Sequence, residues 1–192
     1  MVLTMQEQGL KFDAKPKKFV VWLFVVSSTI MFGGWTSYYI VFSASKGKGH
    51  GLVLPDAFMY STAVLILSSI SLFLAARALR NGKLETQRLF LWITLILGAV
   101  FGYLQFQGWT SLYMSGAVLI NNNAAISLIY IVSGFHLLHI LGGIGFILNT
   151  LIGSYRNIST DKAVYRQEIT SIFWHFIDIL WIYLYVFLLL NS

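Results

Sequence analysis

Cysteine is absent from all 192 residues, which removes disulfides, thiolate metal sites, iron–sulfur clusters and c-type haem attachment together. Only two prolines occur, and no ten-residue blocks alternate in the manner of strands, so a β-barrel is disfavoured. Charge is also scarce. Charged residues make up 10% of the chain, against roughly 25% in an ordinary soluble domain. With 57% of residues hydrophobic, the deficit identifies an integral membrane protein. No cleavable signal pattern is present, because MVLTMQEQGLKFDAKPKKF leads into an apolar run long enough to span. Nucleotide, phosphate and nucleophile motifs are missing as well.

What is there is a set of five apolar segments, at 19–42, 56–79, 89–112, 124–153 and 169–190. Each meets the roughly 20 residues needed to cross about 30 Å of hydrocarbon as a helix. The expected fold is therefore all-α: an integral membrane five-helix bundle, with residues 1–18 as a polar lead-in and 19–192 as one domain. No internal repeat or soluble module interrupts it. The connections are short: the Gly-rich SASKGKGHGLVLP, the charged RALRNGKLETQR, the neutral SGAVLINNN and the polar SYRNISTDKAVYRQ.

The basic residues sort by side. Lys11, Lys15, Lys17 and Lys18 precede the first span; Arg77, Arg80, Lys83 and Arg88 lie around the second connection; Arg156, Lys162 and Arg166 lie in the fourth. Only Lys46 and Lys48 fall on the other side. An eleven-to-two bias implies a cytoplasmic (or matrix) N-terminus and an outer C-terminus by the positive-inside rule. The +6 charge is thus a topology signal, and nucleic acid is not an expected partner. Trp22 and Trp92 at inner ends, with Tyr38, Tyr39, Tyr60, Trp109 and Tyr113 at outer ends, are expected as interfacial anchors. Small residues mark packing sides on four spans: Ser27, Ser28, Thr29, Gly33 and Gly34; Ser68, Ser69 and Ser71; Gly98 and Gly102; Gly142, Gly143 and Gly145.

The fifth span, FWHFIDILWIYLY over residues 173–185, carries His175 and Asp178 inside an apolar run. An intramembrane aspartate costs about 2.5–3.5 kcal/mol on insertion scales, so it faces protein or water and has a partner. The i, i+3 spacing puts both groups on one face, and that face extends back to Ser171 and Glu168. The other side, with Ile172, Phe176, Ile177, Leu180, Leu184 and Phe187, is expected to face lipid.

Of four histidines, His50 lies in the first loop, while His136, His139 and His175 are intramembrane. They could ligate haem or a metal, or they could join helices by hydrogen bonds. His136 and His139 share one side of span four, so only His175 could oppose either of them on a haem. At 1.5 Å per residue His139 lies roughly 21 Å from the inner end of its span and His175 only about 9 Å, a poor match in depth. Phe135, Phe173 and Trp174 add bulk nearby. Carboxylates beyond Asp178 and Glu168 are lacking for a metal. These points favour hydrogen bonding. Asp178 and Glu168 could serve a proton relay, but one deep acid makes no transmembrane chain of protonatable groups, which favours a structural role. A small transporter is disfavoured by the lack of inverted repeats or broken helices.

The motifs SGFHLLHILGG and E-x5-WHF-x-D-x2-W resemble those of subunit III of the haem–copper oxidases. Gly134, Phe135, His136, Leu138 and His139 match that family's TGFHGLHV-like helix, with Ser133 for Thr and Leu137 for Gly. Glu168, Trp174, His175, Phe176, Asp178 and Trp181 match its YWHFVDVVW-like final helix and the glutamate before it. LQFQGW, with Gln105 and Trp109, is similar to the family's LQ-x2-EW, Gly108 standing where a Glu is common. Ser61, Thr62, Ser68 and Ser69 after Pro55 fit its second segment here. Two departures stand out. Mitochondrial-type members have seven helices, and this chain resembles the five-helix bacterial form that starts at their third; lipid sites between the two helix groups do not carry over. The family's FIISEVLFF-like segment reads FVVSSTIMF here, with Ser28 at the glutamate position.

The resemblance implies an accessory, cofactor-free subunit of a proton-pumping terminal oxidase (a cytochrome c oxidase) in the bacterial plasma membrane. Haem and copper would sit in partner subunits. The implied partners are oxidase subunit I above all, subunit II, a small subunit IV, membrane phospholipid and a respiratory supercomplex. His136, His139, Glu168, Trp174, His175, Asp178, Trp181, Gln105 and Trp109 are then family-motif residues of structural character, with no catalytic or metal role. The alternative is a haem b-binding membrane anchor of a quinol-linked complex, ligated by His136 or His139 and His175. The choice of cytochrome c or quinol as donor would reside largely in another subunit.

Overall fold

The computed structural model describes residues 14–46, 54–119, 124–156 and 158–191; Lys48 and His50 of the first loop lie outside them. Five helices follow in order: α1 (Ala14–Lys46), α2 (Asp56–Arg80), α3 (Leu84–Met114), α4 (Ala124–Tyr155) and α5 (Thr160–Asn191). All five contain stretches long and apolar enough to cross a membrane, and the described residues contain no strand. Helix is the form that lets an unpaired segment satisfy every backbone group where no water is available. The helices outrun the apolar segments, most of all α5, whose first nine residues are polar or mixed. At 1.5 Å per residue its 32 residues reach about 48 Å, beyond the hydrocarbon.

Short connections make chain neighbours antiparallel. The α2–α3 turn closes with Lys83 N–H donating to Ala78 C=O and Gly82 N–H to Leu79 C=O. That Schellman pattern needs a left-handed residue, which Gly82 supplies at φ 71°. Helices α2, α3, α4 and α5 form a ring in which each packs on the next and α5 returns to α2; among the described residues α1 lies outside it, against α4 and α5. The core between them is aromatic and aliphatic, with Phe58, Leu65, Phe101, Ile140, Trp174, Ile177 and Trp181 at 0–1% exposure.

Helix α5 is therefore the most enclosed element, which corrects one expectation. Ile177, Leu180 and Leu184 are buried, not lipid-facing, because α1 and α4 cover that side; the exposed strip runs through Ile179, Ile182 and Val186. A second correction concerns the outer aromatic belt. Tyr39 is 5% exposed and donates to the Asn191 carbonyl at 2.9 Å, and Trp109 donates inward to Ser133. Tyr38, Tyr60 and Tyr113 are exposed as anchors should be.

Candidate functional site

The polar residues singled out on α5 do not converge on one point. They form a seam along the α2–α5 contact, built from one repeated unit. Trp174 donates its indole N–H to Ser68 Oγ at 3.0 Å, and that hydroxyl donates to the Leu65 carbonyl of its own helix at 2.7 Å. Trp181 does the same to Thr62, which donates to Phe58 C=O. Gln105 of α3 donates to Ser61, which also donates to Phe58 C=O. Across α3 and α4, Trp109 donates to Ser133 and Ser133 to Ile129 C=O. A hydroxyl that donates into its own helix turns a lone pair toward the neighbour, so both groups are satisfied without water. Trp174 and Trp181 are two helical turns apart, as are Ser68 and Thr62 within one residue, which is why two antiparallel helices meet this way twice.

Between the two tryptophans sit His175 and Asp178. His175 Nδ1 shares a 2.6 Å hydrogen bond with Ser69 Oγ of α2 and lies 3.9 Å from Asp178 Oδ2. Asp178 is 4% exposed, with Ser69 beside it. Neither of its oxygens has a well-formed hydrogen bond among the described residues. The expected proximity of the pair is present. Glu168, two turns below, pairs instead with Lys18 of α1 at the surface.

The histidines of α4 diverge. His136 is wholly buried, its ring 4.9 Å from Trp181 and 5.6 Å, edge-on, from Phe101, with neither nitrogen hydrogen-bonded among the described residues. His139 turns to α1. Its Nδ1 lies 2.7 Å from the Phe135 carbonyl, which can only accept, so Nδ1 carries the proton. In the neutral ring Nε2 then accepts from Ser28 at 3.1 Å. Spacing places His136 and His139 on one side of α4, yet they engage different helices, while His175 engages a third. Among the described residues no group of three or more His, Asp or Glu is placed to hold a metal ion.

The family model of cytochrome c oxidase subunit III matches residues 4–192. The chain belongs to that family. As a subunit III family member it is 29% identical over 177 residues to cytochrome c oxidase subunit 3 of Mus musculus, covering 85% of this chain and 65% of that one. It is 27% identical over 174 residues to the Equus caballus protein of the same name, with the same coverage. It is 28% identical over 170 residues to quinol oxidase subunit 3 of Bacillus subtilis (strain 168), covering 85% and 81%. The chain thus spans 65% of the length of these mammalian subunits. Within the subunit III motifs, Trp174, Trp181, His175 and the Nε2 of His139 each bond a serine or threonine on another helix.

Sequence reasoning missed several polar contacts between helices of this subunit III chain, Thr36 with Tyr183, Thr150 with Thr170 and a buried amide pair among them. Gln87 Nε2 donates to Gln167 Oε1 at 2.9 Å, both side chains being buried near the basic end of the ring. The phase was available: Gln87 shares a face with the buried Leu91, Thr94 and Gly98. Its place beside a charged turn concealed it.

Proposed function

We propose that this chain is the accessory, cofactor-free third subunit of a proton-pumping respiratory terminal oxidase, packed against the catalytic subunit I and sustaining its stability and proton uptake. Subunit II and a small subunit IV complete the assembly, in the plasma membrane of a bacterium, with the N-terminus inside and the C-terminus outside. Residues 19–192 act as one unit. The observation that carries the reading is the match of the subunit III family model to residues 4–192 of the chain. The arrangement of polar groups supports it. His139 and His175 are engaged by hydroxyls of other helices, and His136 is walled by two aromatic rings. The nine motif residues serve as helix-to-helix fastenings.

The alternative, a haem b anchor, needs His136 or His139 to face His175 across room for a macrocycle. Trp181 fills the space beside His136, and His175 is turned to α2. The experiment is gentle extraction of the tagged chain from its own membranes. A co-purifying subunit with haem and copper, and a colourless chain once separated from it, is the expected result. A reduced b-type band carried by the isolated chain would establish the anchor instead.

A further inference from the structure

At the basic end of the bundle the last turn of α4 meets the start of α5, and between them and α3 lies a cavity of about 50 Å³. One water needs about 10–15 Å³ of such space, so a few waters or one small oxyanion would fill it. Its polar wall is Gln87, Thr150, Ser154, Arg156 and Arg166, and no described carboxylate lines it. The hydroxyls of Thr150 and Ser154 are bonded within the protein, to Thr170 and to the Leu151 carbonyl. Gln87 is 2% exposed, and its amide is satisfied at one end only, by Gln167. Arg166 reaches the cavity because residue 153 is glycine: its Nη1 lies 2.6 Å from the point where a β-carbon there would be. It donates one N–H to the Asn149 carbonyl. Arg156 is exposed and makes no ion pair or side-chain hydrogen bond among the described residues. Asp161, in the first turn of α5, pairs with neither arginine.

We propose that this cavity binds one inorganic oxyanion of the phosphate class, held between Arg156 and Arg166. Helix capping does not account for both arginines. The end of α4 carries only about half a negative charge, Arg88 already closes the Ser154 carbonyl, and the positive start of α5 stands beside it at Thr160. Two guanidiniums lining one small cavity therefore want a counter-charge, and their forks match phosphate oxygens bidentately. The buried amide pair completes the site, since an amide satisfied at one end needs a ligand at the other. Gln87 and Gln167 keep their single bond when both amides turn over. Gln87 then offers its N–H groups to the anion, while the Gln167 carbonyl faces the cleft lined by Lys18, Arg77 and Arg80. A cavity of this size admits the anion and not the chains of a lipid. The bound anion ties the last turn of α4 to α5.

The test is equilibrium dialysis of radiolabelled orthophosphate against the assembly as extracted from its membranes, washed in neutral detergent at fixed ionic strength. Wild type is expected to bind one saturable equivalent per chain more than Arg156→Gln/Arg166→Gln, with sulfate competing. Arg156→Gln alone should weaken binding about 10-fold, the effect of one charge-assisted contact. Arg156 is exposed, so this variant keeps its fold, and an unchanged melting temperature without phosphate checks that. Phosphate should raise the melting temperature of wild type and leave that of the double variant unmoved, a linkage that helix capping does not produce. Absence of saturable phosphate, or equal binding by wild type and both variants, would overturn the proposal. So would a phospholipid that survives washing, blocks phosphate in wild type and is lost from the double variant, because the arginines would then hold a headgroup.

Discussion

Trp174 of α5 stands with its six-membered ring against Gly143 of α4, Cε3 lying 2.7 Å from the point where a β-carbon on that glycine would be. On its far edge Cη2 is 2.9 Å from the corresponding point on Gly98 of α3. With the indole N–H bonded to Ser68 of α2, one side chain touches all three other helices of the ring. Gly143→Ala is expected to destabilise the ring by about 1–3 kcal/mol, since the added methyl meets a rigid, fully enclosed ring. Thermal unfolding in mild detergent measures it. Gly33→Ala and Gly145→Ala are the controls. Both sites have open space around the added carbon, so both should melt with wild type.

The hydroxyl–indole units make a second expectation quantitative. Ser68→Ala leaves a buried indole N–H without an acceptor. In a membrane protein such pairs average about 0.6 kcal/mol of coupling, with a ceiling near 1.7 kcal/mol. A cycle of Ser68→Ala, Trp174→Phe and the double variant should return a value in that range. The parallel cycle at Thr62 and Trp181 should agree with it. A coupling of zero in both would mean that the pairs are packed but not bonded.

How much of this was legible in the residues depends on what kind of signal each carried. Five spans followed from apolar length alone, because membrane thickness imposes a length and nothing else in the chain competes. Helix ends did not follow. Hydropathy reports where lipid stops, and α5 begins nine residues before that point with Thr160 and Asp161. The pairing of His175 with Asp178 was readable from i, i+3 spacing. Their setting was not, because Ile177 and Leu184 look the same whether they face lipid or protein. In a membrane both sides of a helix are apolar, so amphipathicity cannot say which is inward. That is also why α5 was expected to pack by one side, when it packs against α1, α2 and α4. Small residues located Gly98 and Gly143 correctly but also pointed to Gly33 and Gly34, where nothing approaches.

The Lys18–Glu168 pair is the fastening of α1 at the basic end, and it is a weak one. Its side chains are 39% and 36% exposed, and pairs of that exposure contribute about 0–1 kcal/mol. Lys18→Ala or Glu168→Ala should therefore shift melting little at physiological salt. The cross-linking yield between α1 and α5 should fall with rising ionic strength in wild type and be salt-independent in either variant. A large melting loss in Glu168→Ala would show that the carboxylate does more than hold Lys18.

Asp178 offers the sharpest test of the supporting role proposed for the seam. The carboxyl is buried beside Ser69 and 3.9 Å from His175. Replacement by Ala removes the polar group that Ser69 and His175 face, leaving them in an apolar hollow at a cost of about 1–3 kcal/mol. The expected result is lower retention of the chain in the purified oxidase and a shorter turnover lifetime, with the haem spectrum initially intact. Asp178→Asn keeps the shape and the hydrogen-bonding capacity while removing the ionisable proton. A purely supporting residue should tolerate that change, giving normal retention and lifetime. Normal assembly and lifetime in the Ala variant would refute the structural assignment. An Asn variant that assembles fully but takes up protons slowly would instead move Asp178 from scaffold to proton handling, because only the proton distinguishes the two side chains.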